Sequence, residues 1–292
     1  MDQKQPSVDA STWEKVRMNE QKRDLIIVRG AGDISTGTIH RLFRAGFPVL
    51  ALETQFPSAI RRRVAFSEAV YDGKAVVEGV RAVRIERMDQ VYETVASGCI
   101  PLLIDPAGES VHALRPHILV DAILAKKNLG TTMDMAPMTI ALGPGFEAGK
   151  DVHYVIETMR GHDLGRIIER GCALPNTGIP GVIKGVGAQR VIHSPAEGTF
   201  HMSRDIGSTV EAGETIGTVE TGRERIPVCT QISGILRGII RDGYPVTKGF
   251  KLADVDPRLE ELKNCYTISD KARCIAGSVL ELVCGWNVCF NR

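Results

Sequence analysis

The chain has 292 residues, 43% hydrophobic and 24% charged, the composition of a soluble globular protein. Its 36 basic and 35 acidic residues leave a net charge of +1, and aromatics make up 5%, so neither nucleic acid nor a membrane surface is expected as a partner. The seven cysteines form no Cys-x-x-Cys pair and are odd in number, which argues against a zinc ribbon and a disulfide framework and for buried reduced thiols.

Residues 1–23 are polar, lack the apolar core of a signal peptide and are expected to form a flexible tail on a cytoplasmic protein. From residue 24 the pattern reads strand, glycine turn, helix, strand: LIIVRG, DISTGTIHRLFRAG and FPVLALE, which closes on Glu53. FPSAIRRRVAFSEAVYDG places Arg61, Arg62 and Arg63 in a row near a short helix; one of them could grip a phosphate, or all three could form an ion-paired face. AVVEGVRAVRI alternates as one or two strands, DQVYETVASG reads as a glycine-capped helix, and IPLLID reads as a buried strand. RPHILVDAILAKKN reads as a helix, MTIALGPGF and HYVIETMRG as strands, and 163–170 as a short helix. Alternation of this kind predicts a Rossmann-like α/β domain with a parallel sheet over 24–190.

From residue 190 helical periodicity vanishes and a repeat emerges. Gly198, Gly207, Val210, Gly213, Ile216 and Val219 recur as Gly234, Gly243, Val246, Gly249, Leu252 and Val255, each offset by 36. Glycines at turns and aliphatics between them predict an all-β module over 191–256. The last segment, 257–292, carries a helical stripe of Ala272, Ile275, Ala276, Val279, Leu280 and Val283. It is expected to fold back on the α/β domain. Its apolar run, 274–290, is broken by Ser278, Glu281 and Asn287 and falls short of a membrane span.

Two stretches carry the chemistry. Gly30-Ala31-Gly32-Asp33-Ile34-Ser35-Thr36-Gly37 follows a strand and opens a helix, as a dinucleotide fingerprint does, with Glu53 placed to accept from a ribose. The third glycine falls at Gly37 instead of position 35, so the fingerprint is imperfect, and a tight packing turn without ligand is the competing reading. Bare backbone at Gly30 and Gly32 would let a phosphate reach the first helix amides, with Ser35 and Thr36 adding hydroxyls. Asp33 opposes an anion unless it caps the helix. In the second stretch, Gly143 and Gly145 form a loop after a strand, and Arg160 and His162 precede the expected helix, together suggesting a polar pocket wall. No known metal-ligand spacing, nucleophile elbow or Walker loop occurs, and the catalytic residues stay unknown.

The 36-residue doublet resembles a biotinyl/lipoyl-like barrel-sandwich hybrid, with Arg223 at the position of the carrier lysine, so neither biotin nor lipoate is expected there. VRGAGDISTG, the triple-arginine stretch, GPGFEAGKDVHYVIETMRGHDLGR, the doublet and SDKARCIAGSVLE together resemble the YqeB-like family. That resemblance implies an accessory or maturation factor of a selenium-dependent molybdenum hydroxylase system, handling molybdopterin or a nucleotide. Its implied partners are the apo-hydroxylase, other maturation factors and a phosphate-bearing small molecule. A nicotinamide-nucleotide-dependent oxidoreductase and a non-catalytic docking scaffold are the alternatives.

Overall fold

The computed structural model describes residues 25–178 and 181–290 of the chain. The expected tail at 1–23 lies outside the described residues. Leu25 to Val28 are all buried, as a strand covered on both faces must be. Strand β1 (Ile26–Arg29) pairs in parallel with β2 (Val49–Glu53) on one side. On its other side it pairs in parallel with β6 (Ile118–Asp121). Alternation sorts their side chains: Ile26, Val28, Val49, Ala51, Ile118 and Val120 enter one core layer. Leu25, Ile27, Leu50, Leu52 and Leu119 enter the other.

The full sheet adds β3 (Lys74–Val77), β4 (Val80–Ile85), β5 (Ile100–Ile104), β7 (Met138–Leu142), β9 (Tyr154–Ile156) and β10 (Ile167–Ile168). Its order is β10-β9-β7-β6-β1-β2-β5-β4-β3, and β8 (Glu147–Ala148) and β11 (Gly171–Cys172) form a separate antiparallel pair. The two outermost pairs, β10 with β9 and β3 with β4, are antiparallel. The first core layer is closed by α1 (Asp33–Arg44) and α4 (Asp270–Phe290), which contribute Ile39, Leu42, Ile275 and Val279. The other face is covered by the short helices α2 (Val91–Ala96) and α3 (Glu109–Leu114), through Val91 and Val111, and by Ala136.

Eight strands build the β region: β12 (Val191–His193), β13 (Gly198–Met202), β14 (Thr209–Val210), β15 (Thr215–Glu220), β16 (Arg225–Cys229), β17 (Gly234–Ile239), β18 (Tyr244–Val246) and β19 (Lys251–Asp256). They form two four-stranded antiparallel sheets, β12-β19-β17-β14 and β16-β15-β13-β18, around Phe200, Ile216, Val219, Leu236, Leu252 and Val255. The 36-residue offset has a local cause. A Cβ on Gly198 would lie 2.3 Å from the carbonyl oxygen of Glu220, and one on Gly234 would lie 2.4 Å from that of Asp256. Both glycines let a strand pass another at the same point of its repeat. The copies diverge at one residue. Leu236 faces Val255 and Gly238 faces Asp254, so Arg237 is an extra residue, whereas β13 runs past β15 without a bulge.

These observations correct the expected layout of a Rossmann-like parallel sheet plus a barrel-sandwich hybrid. The large sheet is mixed, with antiparallel edges and one thinly covered face, and the β region is a pair of separate antiparallel sheets. The helix expected from RPHILVDAILAKKN is instead the central strand β6. Ile118 and Val120 bury on one face and Leu119 on the other, a period of two that four residues satisfy more easily than a helical turn. The helix expected at 163–170 is a turn, with the Arg166 amide donating to the Asp163 carbonyl, followed by edge strand β10.

The arginine run joins the two halves. Arg61 donates to the carbonyls of Asn264 and Thr267 at 3.0 Å. Arg62 reaches the Ile239 carbonyl at 2.8 Å and Asp205 at 2.6 Å, and Arg63 reaches Asp205 at 2.7 Å. All three guanidiniums are therefore engaged in structure, and the ion-paired reading of the run holds.

Helix α1 crosses α4 so closely that a Cβ on Gly37 would lie 2.8 Å from the Cβ of Ala272 and 2.9 Å from its carbonyl oxygen. Glycine to alanine inside a helix ordinarily gains about 1 kcal/mol. Here overpacking, typically about 1–3 kcal/mol, opposes that gain. Gly37→Ala is expected to lower the stability measured by urea denaturation; a gain would show that the two helices are not in this contact.

Candidate small-molecule site

Strands β1 and β6 mark the point where the sheet reverses its direction of growth. The chain leaves β1 towards β2 and later returns on the other side of β1 as β6. Such a reversal opens a crevice beyond the carboxyl ends of the strands, where open α/β sheets hold ligands. A cavity of about 270 Å3 opens here over Gly30, Gly32, Glu53, Thr54, Ala122 and Ile123. A side lobe of about 120 Å3 continues over Leu52, Pro106, Ile123 and Leu129 and shares Gly30, Glu53 and Thr54 with the first.

The three glycines of the turn have different reasons to be there. Gly30 has φ +94°, and a Cβ on it would meet the Ala122 carbonyl oxygen at 2.8 Å, so the junction of β1 and β6 requires it. Gly37 is required by α4, as described above, and takes no part in the crevice. Gly32 has φ −66°, and its nearest neighbour to an added Cβ is the Ser35 Oγ at 3.9 Å. The fold does not require a glycine at 32. It is also the N-cap of α1, and no side chain caps the helix. The first intrahelical bond runs from the Thr36 amide to the Gly32 carbonyl at 2.8 Å. Among the described residues, the amides of Gly32, Asp33, Ile34 and Ser35 therefore have no acceptor.

Around these amides the charges are arranged. Asp33 does not cap the helix; it pairs with Arg61 at 3.4 Å, which offsets its charge. Glu53 accepts from the Ala31 amide at 3.1 Å and from the Thr54 amide at 2.6 Å, so its carboxyl is fixed at the mouth of both lobes. Burial pushes the Glu53 carboxyl above the ordinary glutamate range, against the pull of those two amides. The hydroxyls expected to aid a phosphate are turned elsewhere. Ser35 Oγ, although at the cavity wall, donates to the Gly32 carbonyl at 3.1 Å. Thr36 Oγ1 donates to the Ala31 carbonyl and accepts from the Phe66 amide inside the core.

The second expected stretch is not brought to the crevice. A Cβ on Gly143 would strike Thr158 Oγ1, and one on Gly145 would strike the backbone of Lys127, so both glycines serve close packing behind it. Arg160 is held by Asp270 through two bonds of 2.9 and 3.0 Å and lines a neighbouring cavity. His162 lies on an exposed turn. Arg223, at the position of a carrier lysine, sits in the exposed turn between β15 and β16. Among the described residues no group of three or more His, Cys, Asp or Glu side chains is placed to hold a metal ion.

Sequence reasoning missed the buried support beneath the crevice. Arg29 and Asp121 end adjacent strands in register, and Thr131 bridges them, accepting from Arg29 and donating to Asp121, both at 2.6 Å. Burial raises the Asp121 carboxyl above its ordinary range. A charged residue closing each of two apolar strands, LIIVR and ILVD, was the available signal. Thr54, Ile123 and Leu124 also line the cavity and follow strand ends without a distinguishing pattern.

No family model matches the chain. The chain is similar to YqeB of Escherichia coli (strain K12), an uncharacterized protein, at 48% identity over 257 residues, 88% of this chain and 47% of that protein. It thus spans about half the length of that relative, and the likeness supports a YqeB-like relationship across most of the chain. Among solved structures, a succinylglutamate desuccinylase/aspartoacylase from Rhodobacter sphaeroides is 15% identical, with a TM-score of 0.26 over 80% of this chain and 85% of that one. An aspartoacylase family protein from Mesorhizobium loti is 10% identical, with a TM-score of 0.27 over 80% and 84%. An ectoine utilization protein from Ruegeria pomeroyi is 13% identical, with a TM-score of 0.26 over 80% and 85%. The expected role in maturing a selenium-dependent molybdenum hydroxylase finds no support in these comparisons and is withdrawn. The structures matched are of the desuccinylase and aspartoacylase type, and none is described as an accessory of such a system. The molybdenum cofactor and selenium expectations fall with it. Likenesses with TM-scores this low carry no argument about this chain's own activity. Among the described residues no helix is long and apolar enough to cross a membrane.

The raised Glu53 carboxyl has a direct consequence. Between the ordinary glutamate pKa and the raised one, the folded chain holds a proton that the unfolded chain has released. Glu53's contribution to stability is complete below the ordinary value and is lost as pH rises through the raised one. A carbon-13 NMR titration of the Glu53 carboxyl is expected to show a midpoint above about 4.3. A midpoint at or below that value would show the carboxyl to be solvated, and the cavity mouth open to water.

Proposed function

We propose that the chain binds a mononucleotide-like ligand in the crevice between β1 and β6. The phosphate would rest on the amides of residues 32–35, where the first turn of α1 supplies donors and a favourable dipole. Glu53, fixed by two amides, would accept from ribose hydroxyls. The side lobe over Leu52, Pro106, Ile123 and Leu129 offers an apolar slot for the base. The pairing of Asp33 with Arg61 reduces the repulsion that a free carboxylate would exert on a phosphate.

The observation that carries this reading is Gly32: a bare position facing an open cavity, in a turn whose other glycines are both explained by packing. It also supplies the test. Since position 32 has an ordinary φ and room for a side chain, Gly32→Leu is expected to fold with its thermal midpoint nearly unchanged while filling the crevice. Calorimetric titration with AMP is expected to give binding to the parent chain and at least about a tenfold weakening in Gly32→Leu, equivalent to about 1.4 kcal/mol. Equal binding by both proteins, or none by the parent at millimolar AMP, would overturn the proposal.

A further inference from the structure

A second cavity lies between the α/β part and the β region, and it is rich in guanidinium groups. It measures about 640 Å3 and is walled by Arg160, Arg190, Arg237, Arg258, Arg273 and Ser269, among others. A smaller cavity of about 240 Å3 adjoins it, sharing Arg160, Arg237 and Ser269. Four of the five arginines are committed. Arg160 is bound to Asp270 at 2.9 Å, Arg190 to Asp254 at 3.0 Å, Arg258 to Asp256 at 2.7 Å and Arg273 to Glu78 at 2.6 Å.

Arg237 is not. Its side chain is 16% exposed, and its nearest carboxylate oxygen, on Asp256, is 3.9 Å away and already bound by Arg258. Its Nε is buried and has no partner, and among the described residues its guanidinium makes no hydrogen bond. A buried guanidinium nitrogen without an acceptor is unfavourable unless something supplies one. The backbone accounts for the placement: Arg237 is the extra residue of the β17 bulge, the one point at which the second repeat copy departs from the register of the first. Bulges of this kind re-aim a side chain and recur beside binding sites.

Two further features favour an anion at this point. Ser269 Oγ accepts from the Ala272 amide and so caps α4, whose amino-terminal end bears partial positive charge towards both cavities. Lys271, in the first turn of α4, lines the smaller cavity and forms no ion pair among the described residues. Burial, reinforced by Arg160, draws its ammonium below the ordinary lysine range.

We propose that Arg237 is the centre of a second binding site, bordering the crevice over Gly32 at Asp33 and Ile34, that takes the phosphate of a small phosphorylated metabolite. The guanidinium would grip two phosphate oxygens side by side, with Lys271 and the end of α4 completing the field. The larger cavity leaves room for the organic part of such a molecule.

Pyrophosphate serves as the probe. It is expected to raise the thermal midpoint of Gly32→Leu, whose crevice is filled, and to leave that of the Gly32→Leu/Arg237→Met double variant unchanged. Without pyrophosphate, Arg237→Met is expected to melt close to the parent, because Arg237 makes no hydrogen bond among the described residues and its contact with Asp256 is long. Pyrophosphate stabilising the double variant as much as Gly32→Leu, or not stabilising Gly32→Leu, would overturn the proposal. If the methionine variant does not fold, Arg237→Lys keeps the charge and stem but loses the fork. Pyrophosphate affinity about tenfold below that of the parent would support the site, and unchanged affinity would overturn it.

Discussion

The carbonyl of Ala122 stands where a side chain on residue 30 would have to be. That contact brings the ends of β1 and β6 together at the reversal point of the sheet, and much of the architecture follows from it. With Gly30 forced into a left-handed turn, the chain leaves β1 at an angle that starts α1 three residues later, beyond the carboxyl ends of the central strands. The amides of the first turn then face a cavity instead of a strand or a side chain. Glu53 is held at the cavity mouth by the amide between the two glycines, so the turn and its acid are one hydrogen-bonded unit. Beneath them Arg29, Thr131 and Asp121 tie the same two strands from inside. A rigid floor under an open crevice is what a preorganised binding site needs.

The second constraint is charge placement. The chain is nearly neutral overall, yet its arginines concentrate where the two halves meet. Arg61, Arg62 and Arg63 join one half to carbonyls and to Asp205 in the other, and Arg241 crosses back to Glu68 and Asp72. Nearly every guanidinium at this boundary is matched to a carboxylate or a carbonyl. Against that background Arg237, carried on a bulge with a single long contact to Asp256, is the weakly matched guanidinium at which we place the second site.

Local signals of strong periodicity were legible in the sequence. LIIV, the helix after it and the strand ending on Glu53 lie where their patterns place them, because apolar alternation and glycine spacing are local causes. The stripe from Ala272 to Val283 likewise lies along one helix and enters the core beside α1. What failed was the reading of short apolar runs. HILVDAIL fits a strand or a helix turn equally well by composition, and only pairing with β1 and β7 decides it. The glycines were legible as special and not as to purpose. Gly30, Gly32 and Gly37 look alike in sequence, while their reasons are a carbonyl, a cavity and a helix that arrives more than 230 residues later. Arg160, His162, Gly143 and Gly145 were read as one wall because they are near in sequence; the structure disperses them among an ion pair, an exposed turn and one close-packed loop.

The most direct measurement is a crystal structure of the chain grown with AMP. The account predicts phosphate oxygens about 3 Å from the backbone nitrogens of residues 32–35, with a ribose hydroxyl on Glu53. AMP seated elsewhere, or a crevice closed by its own side chains at full AMP occupancy, would contradict it.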